Sequence, residues 1–307
     1  MKTQVFLSAK SSNHEPPEGH PEHAGRYDAA LAGIKASGVE LQFSPRLANR
    51  AALERVHVPA MIEAIYASAP AQGEVALDAD TWMSPGSLDA ALNAAGAALD
   101  AVDAVMSGQC EAAFVAARPP GHHAEPDRAM GFCLFNSIAI AAMHALANHN
   151  LQRASIVDFD VHHGNGSQAF VESEPRLSFA SIHQGWIYPG TGAAYETGQL
   201  GNIVNIPVAA GTTGGDWLDA IRTRILKQLE TWSPELILVS AGFDGHKADP
   251  LAGLALTEAD FAEVGRVLAQ AAKRHSQSRL VCVLEGGYDC PALERSVGAF
   301  LEALEAS

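Results

Sequence analysis

Asp158, Asp160 and His162 stand two residues apart at the end of an apolar, β-branched run, Ala154-Ser-Ile-Val-Asp158, and glycines 164 and 166 follow. On an extended chain that spacing sends all three side chains to one side. Carboxylate oxygen and imidazole nitrogen are ligands for a divalent ion such as zinc. Taken alone, Asp-x-His also fits a strand end with solvated charges. Three further apolar runs shift the balance, because each ends in comparable chemistry. One leads into Arg118-Pro-Pro-Gly-His-His123, a second into Gly242-Phe-Asp244, and a third into Glu285-Gly-Gly-Tyr288.

These pieces fit one reaction type. Asp160, His162 and Asp244 would make a three-ligand metal site with an open position for water and a substrate carbonyl. His122 and His123 can supply a general base and a general acid. Each needs a partner to set its tautomer; Asp158 is the candidate for one and Asn165 for the other. Tyr288 can donate a hydrogen bond to a developing oxyanion. Together the set describes metal-assisted hydrolysis of an amide.

The elements that must position these residues alternate. Strands are expected at 3–8, 111–117, 154–159, 177–182, 202–206, 235–241 and 279–284. Helices are expected from Arg26 to near Gly38, at 59–69, from Ser84-Pro85 to Gly108, and at 136–149, 215–231, 257–275 and 290–305. The strands are apolar throughout, as when both sheet faces are covered. That pattern predicts one doubly wound α/β domain over residues 1–307, with a mostly parallel sheet flanked by helices. In such sheets ligands bind beyond the carboxyl ends of the strands, where the four loaded loops fall. The glycine- and proline-rich stretch 185–201 is expected as a shaped surface loop.

Composition narrows the classes. The chain has 307 residues, 48% of them hydrophobic, enough for a large core. Its net charge of −15 reads first as solubility, and second as an acidic rim for cationic substrates. No basic, aromatic-interleaved patch points to nucleic acid. No run is long enough for a signal peptide or a membrane span. Cys110, Cys133, Cys282 and Cys290 form no Cys-x-x-Cys pair and read as reduced thiols, which places the expectation in a bacterial-type cytoplasm. His14 and His20 are expected as loop residues, and His144, His149 and His275 on helix surfaces. Glu285 receives no chemical role.

The blocks together resemble the zinc-dependent histone deacetylase family. They are Arg118-Pro-Pro-Gly-His-His123, Gly131-Phe-Cys133, Asp158-Phe-Asp-Val-His-His-Gly-Asn-Gly166, Ser181-Ile-His-Gln184, Pro189-Gly-Thr-Gly192, Ser240-Ala-Gly-Phe-Asp244, Asp249-Pro-Leu-Ala-Gly253 and Glu285-Gly-Gly-Tyr288. They occur in the family's order, and an ordered set is far more specific than any one block. The form is closest to the class II branch and its bacterial amidohydrolase relatives.

The resemblance implies an arginase/deacetylase fold, zinc on Asp160, His162 and Asp244, a catalytic pair at His122 and His123, and Tyr288 as oxyanion donor. It implies that Asp158 backs His122 and also helps hold a structural potassium. That ion would take main-chain oxygens of Asp160, His162 and Ile182 and the Ser181 hydroxyl. Phe132 and Tyr188 would line an acyl-lysine tunnel, Gly131 would accept from the substrate amide, Leu251 would sit at the rim, and Arg26 would lie near the product-acetate path. Trp186 is expected beside the tunnel, narrowing or capping it. Asn165 stands where class I members carry aspartate, so His123 should be less basic and lean towards the acid role. Leu251 in place of a polyamine-selecting glutamate, and the lack of a long dimerisation insertion, favour acylated lysine in a peptide or protein over acetylated polyamine. A two-metal, arginase-like ureohydrolase and a non-catalytic acyl-lysine binder are the other readings.

Overall fold

The computed structural model describes residues 1–307. Ten strands are present: β1 (Thr3–Ser8), β2 (Glu40–Ser44), β3 (Val75–Ala76), β4 (Trp82–Met83), β5 (Ala112–Ala116), β6 (Ala154–Asp158), β7 (Leu177–Gln184), β8 (Ile203–Val208), β9 (Ile237–Ala241) and β10 (Leu280–Leu284). The ten α-helices are α1 (Gly25–Ser37), α2 (Arg50–Leu53), α3 (Pro59–Ser68), α4 (Ser87–Met106), α5 (Ser137–Asn148), α6 (Asn165–Val171), α7 (Gly214–Ala220), α8 (Leu226–Trp232), α9 (Glu258–His275) and α10 (Cys290–Glu305).

Eight strands form one sheet in the order β2-β1-β5-β10-β9-β6-β7-β8. Every pair in it is parallel. Strands β5, β6, β9 and β10 are buried over their whole length. Their unbroken apolar sequences follow from that burial on both faces. One face packs on α4 and α5 through residues such as Leu99, Val102, Ile138 and Leu146. The other packs on α1, α9 and α10 through Ile34, Phe261, Leu268, Phe300 and Leu301. Parallel pairing puts all carboxyl ends on one edge. The strands bearing the four loaded loops, β5, β10, β9 and β6, are consecutive in the sheet.

Some elements depart from expectation. Glu40–Ser44 is an edge strand beside β1, and its exposed pattern hides it among loop-like sequence. The helix after Ser84-Pro85 begins only at Ser87, because Gly86 takes a left-handed conformation at φ +94° and ends the preceding turn. The helix expected over 215–231 is interrupted by a π-turn at Ile221–Ile225. Residues 185–202 form no helix or strand, as the glycines and prolines there require. No helix is long and apolar enough to cross a membrane.

Candidate active site

The site builds up from the four adjacent strand ends. Asp158 closes β6. Its Oδ2 lies 3.0 Å from His122 Nδ1, and its Oδ1 accepts from the Asp160 amide at 3.1 Å. Asp160 Oδ1 accepts from the His162 amide, and Asp160 Oδ2 from the Gly286 amide at 2.8 Å. Asp244 Oδ1 accepts from the Val161 amide at 2.9 Å. Each carboxylate is therefore braced by backbone before any ligand is considered. Gly286 is required there, since a Cβ on it would lie 2.0 Å from Asp244 Oδ2.

Asp160, His162 and Asp244 converge as one buried group of potential ligands. His162 Nδ1 lies 3.2 Å from Asp160 Oδ1 and 3.2 Å from Asp244 Oδ2. A tetrahedral ion with bonds of about 2.0–2.1 Å separates its ligands by roughly 3.3 Å, so the donor set fits one divalent ion. The electrostatics agree. Burial would lower the His162 imidazole, but Asp160 and Asp244 outweigh it and lift it to about 10. Burial and the Asp160 carboxylate push Asp244 up to about 7. A field that draws a proton to His162 Nδ1 also draws a dication to the same place. The neighbouring His163 points elsewhere, to Thr191 Oγ1 and Gln168 Oε1.

The tandem histidines have unlike partners. Burial pulls His122 down, but Asp158, Asp160 and Glu285 overcome it and raise it to about 10. His123 is pushed well below the ordinary range, by burial first and then by the neighbouring His122 and His162 charges. Its Nδ1 lies 2.8 Å from Asn165 Oδ1. The Asn165 amide donates through Nδ2 to Glu125 Oε1 at 2.6 Å, which fixes its oxygen towards His123. His123 accordingly carries its hydrogen on Nδ1 and presents Nε2 as a free base.

A cavity of about 220 Å³ opens over these groups, lined by Asp80, His123, Gly131, Phe132, His162, Tyr188, Leu251 and Tyr288. Tyr188 packs edge-on against His123 with ring centroids 5.1 Å apart. Phe132 does the same against Tyr288 at 5.9 Å. Gly131 and Phe132 both have positive φ, +59° and +68°. A Cβ on Gly131 would come within 2.5 Å of His123 Cδ2, so only glycine lets the turn pass the imidazole. The Tyr288 amide is held by Asp249 Oδ2 at 2.7 Å. Burial keeps its phenol protonated, well above its ordinary range, with Asp244 and Asp160 adding to the effect against Arg26.

Other expected residues fall close by. Leu251 is exposed at the rim of the cavity. Asp158 and Ser181 are side by side in the β6–β7 register, with Ile182 next along β7. Arg26 is fully buried beneath the tyrosine turn. It donates to Gly287 O at 2.6 Å and Glu285 O at 2.5 Å, and its guanidinium carbon lies 4.7 Å from the Tyr288 ring centroid. Trp186 is not on the wall: it is 91% exposed, turned outward by a backbone at φ +62°.

Several residues carry no readable signal in the sequence. Asp80 lines the cavity from the β3–β4 hairpin, and its neighbour Thr81 accepts from the Phe132 amide at 3.1 Å. His20 packs edge-on against Phe132 at 4.7 Å. Glu285 accepts from the Gly121 and His122 amides at 2.7 and 3.2 Å, so it holds the histidine loop. Its only visible cue is its place before the glycine turn. His14 is a loop residue as expected, yet buried against Ser87 and Glu22. His144 is not a surface residue. It is buried, because α5 is covered on nearly every side.

A histone deacetylase domain model matches residues 20–304. The chain belongs to the histone deacetylase family. It is 37% identical over 283 residues to the histone deacetylase-like amidohydrolase of Pseudomonas aeruginosa, covering 89% of this chain and 74% of that protein. It is 39% identical over 310 residues to a probable deacetylase of Methanothermobacter thermautotrophicus, covering 98% and 90%. The crystal structure of the HDA15 HD domain superposes with a TM-score of 0.93 at 31% identity, over 100% of this chain and 88% of that one. Membership makes this deacetylase-family chain a hydrolase of the amidohydrolase type, and the sheet described above is the family's fold.

Proposed function

We propose that the protein is a zinc-dependent amidohydrolase that removes acetyl or other acyl groups from lysine side chains. The observation that carries the reading is the convergence of three metal donors, a free His123 Nε2 and Tyr288 on one narrow cavity walled by Phe132 and Tyr188. Asp160, His162 and Asp244 hold the zinc, which when bound acidifies a water and polarises the substrate carbonyl. A potassium beside Asp158, Ser181 and the Ile182 main chain belongs to the same proposal, supported by their adjacency in the sheet.

His123 faces the cavity and accepts the water's proton on Nε2. The same proton then passes to the leaving lysine nitrogen, so one residue serves as base and acid in turn. His122, backed by Asp158, stays cationic and stabilises the negative charge of the tetrahedral stage. This division differs from the expectation that the two histidines split the two tasks, because His122 does not line the cavity. Tyr288 donates to the oxyanion. Asn165 fixes the His123 tautomer. Gly131 accepts from the substrate amide, Leu251 meets the substrate at the rim, and Arg26 props the tyrosine turn near the product-acetate path.

Acetylpolyamine is the second reading. Asp80 on the wall favours it, offering an anion to a cationic tail, whereas Leu251 at the rim offers none. A ureohydrolase would need bridging carboxylates for a second ion, and the cluster at these strand ends has three ligands. The deciding experiment is turnover of a fluorogenic acetyl-lysine peptide by zinc-loaded protein, with acetylspermidine in parallel. Peptide turnover blocked by a hydroxamate is the expected result. Turnover of acetylspermidine alone overturns the lysine assignment.

A further inference from the structure

Asp103, His144 and His149 form a second cluster of potential metal ligands, where the C-terminal ends of α4 and α5 meet. Asp103 lies in the last turn of α4. His144 lies in the last turns of α5, and His149 caps it. Both imidazoles turn Nε2 to the same atom: His144 and His149 each stand 2.7 Å from Asp103 Oδ1. The other carboxylate oxygen is taken by Arg46 Nη1 at 2.8 Å, which fixes the plane of the group and leaves Oδ1 to the histidines. Arg46 also binds Asp100 at 3.1 Å, so its charge is shared between two carboxylates.

We propose that this cluster is a second divalent transition-metal site, with two imidazoles and one carboxylate binding zinc, cobalt or nickel. Three observations support it. The donor set is one that suits these ions. The three ligand atoms already lie within 4.8 Å of one another, and opening each N–O pair by roughly 0.6 Å reaches the spacing of a tetrahedral ion with bonds of about 2.0–2.1 Å. The C-terminal ends of α4 and α5 meet here, and helix C-termini favour positive charge. Each ring's Nε2–H now serves Oδ1. No group of the fold bonds either Nδ1, so each neutral ring can carry its hydrogen there and free Nε2 for the ion. The Arg46 contact is the outer bond that orients a ligating carboxylate. His144 is buried and His149 only partly so, which leaves one side of the ion open to water. The ion would clamp the two helices that cover one face of the sheet.

The test is metal content after equilibrium dialysis against micromolar zinc. Wild type should hold two zinc ions per chain. Both His149→Gln and Asp103→Asn should hold one and keep wild-type turnover of an acyl-lysine peptide. Asp244→Asn, altered at the catalytic donors, should still hold the second ion, and its unfolding midpoint should rise with added zinc. Should Asp103→Asn fail to fold, the partly exposed His149→Gln carries the test. A wild type that stops at one ion overturns the proposal. So does a second ion retained by His149→Gln, which would place both ions at the strand ends.

Discussion

Tyr288→Phe isolates a single hydroxyl. The tyrosine's surroundings hold its ring and backbone without that oxygen. Its amide is bound by Asp249, its ring packs against Phe132 at 5.9 Å, and Arg26 lies 4.7 Å from the ring centroid. Phenylalanine keeps all three contacts, so the fold and the Asp160-His162-Asp244 donors should be undisturbed. What is lost is a neutral donor aimed into the cavity, and such donors act on charge that develops only in the transition state. Removing one costs about 2.7–4 kcal/mol, or about 10²–10³ in rate. The loss should fall equally on kcat and kcat/KM, because ground-state binding of the substrate carbonyl uses the hydroxyl little. The phenol stays protonated well above its ordinary range, so no alkaline limb from this group should appear in the wild-type pH profile. The assay is steady-state turnover of an acetyl-lysine peptide, with zinc content measured on the same samples. A variant within about threefold of wild type would refute the oxyanion role. A variant that loses its zinc would show that the tyrosine supports the donors instead.

Asn165→Asp places a carboxylate 2.8 Å from His123 Nδ1. The base must be neutral, so a raised proton affinity should move the acid limb of kcat/KM to higher pH by roughly one unit or more, and an unmoved limb would remove His123 from the base role. Gly286→Ala puts a methyl group 2.0 Å from Asp244 Oδ2 and 2.6 Å from Asp160 Oδ2. Zinc affinity should fall about 10–100-fold with far-ultraviolet dichroism unchanged, and undiminished affinity in a dialysis measurement would count against the donor assignment. Glu22→Gln leaves Arg118 and Arg26 buried with no carboxylate between them, and denaturant unfolding should show a loss of about 3–5 kcal/mol. Burial would raise the Glu22 carboxyl, but Arg118, His14 and Arg26 overcome it and hold it well below the ordinary range. A depressed native value means the stabilisation is full above the unfolded carboxyl's value of 4.5 and is lost as pH falls below it. The stability gap between wild type and variant should therefore close on acidification, and a gap that widens there contradicts the ion-pair account.

What the sequence makes legible is what is local. Asp160 and His162 lie just beyond one strand end, two residues apart, and His163 beside them turns to Thr191 and Gln168 instead. His122 and His123 follow a buried strand directly, so their place on the sheet edge needs only the parallel topology. The rest depends on contacts between distant segments. Asp80 reaches the cavity from a hairpin of two-residue strands too short to leave a periodic signal. Glu285 binds the backbone of Gly121, a bond made across 164 residues. His144 looks like a surface residue because α5 is rich in alanine on all sides, and small side chains do not mark which face is covered. Trp186 looks like a tunnel residue from its neighbours in sequence, yet one left-handed residue reverses its direction.

The hydrogen bonds between loops explain why the site sits on four neighbouring strands. Glu285 links the loop after β10 to the loop after β5. The Gly286 amide links β10 to Asp160 beyond β6, and the Val161 amide links that segment to Asp244 beyond β9. Two of these ties use one oxygen of each proposed metal-binding carboxylate, and the other oxygen of each lies beside His162 Nδ1. The ligands serve as braces as well as donors, so their geometry is set by the polypeptide and not only by an ion. Substitution by alanine at Asp160 would therefore remove two backbone anchors along with a ligand, and its effect could not be assigned to metal loss. Asn at the same place removes the charge and keeps an oxygen for one of the two amides, leaving the other facing an NH2 donor. Comparing Asp160→Asn with Asp160→Ala in stability and in zinc content separates the two roles: both variants should lose the ion, and the asparagine variant, which keeps one of the two backbone bonds, should lose less stability than the alanine variant.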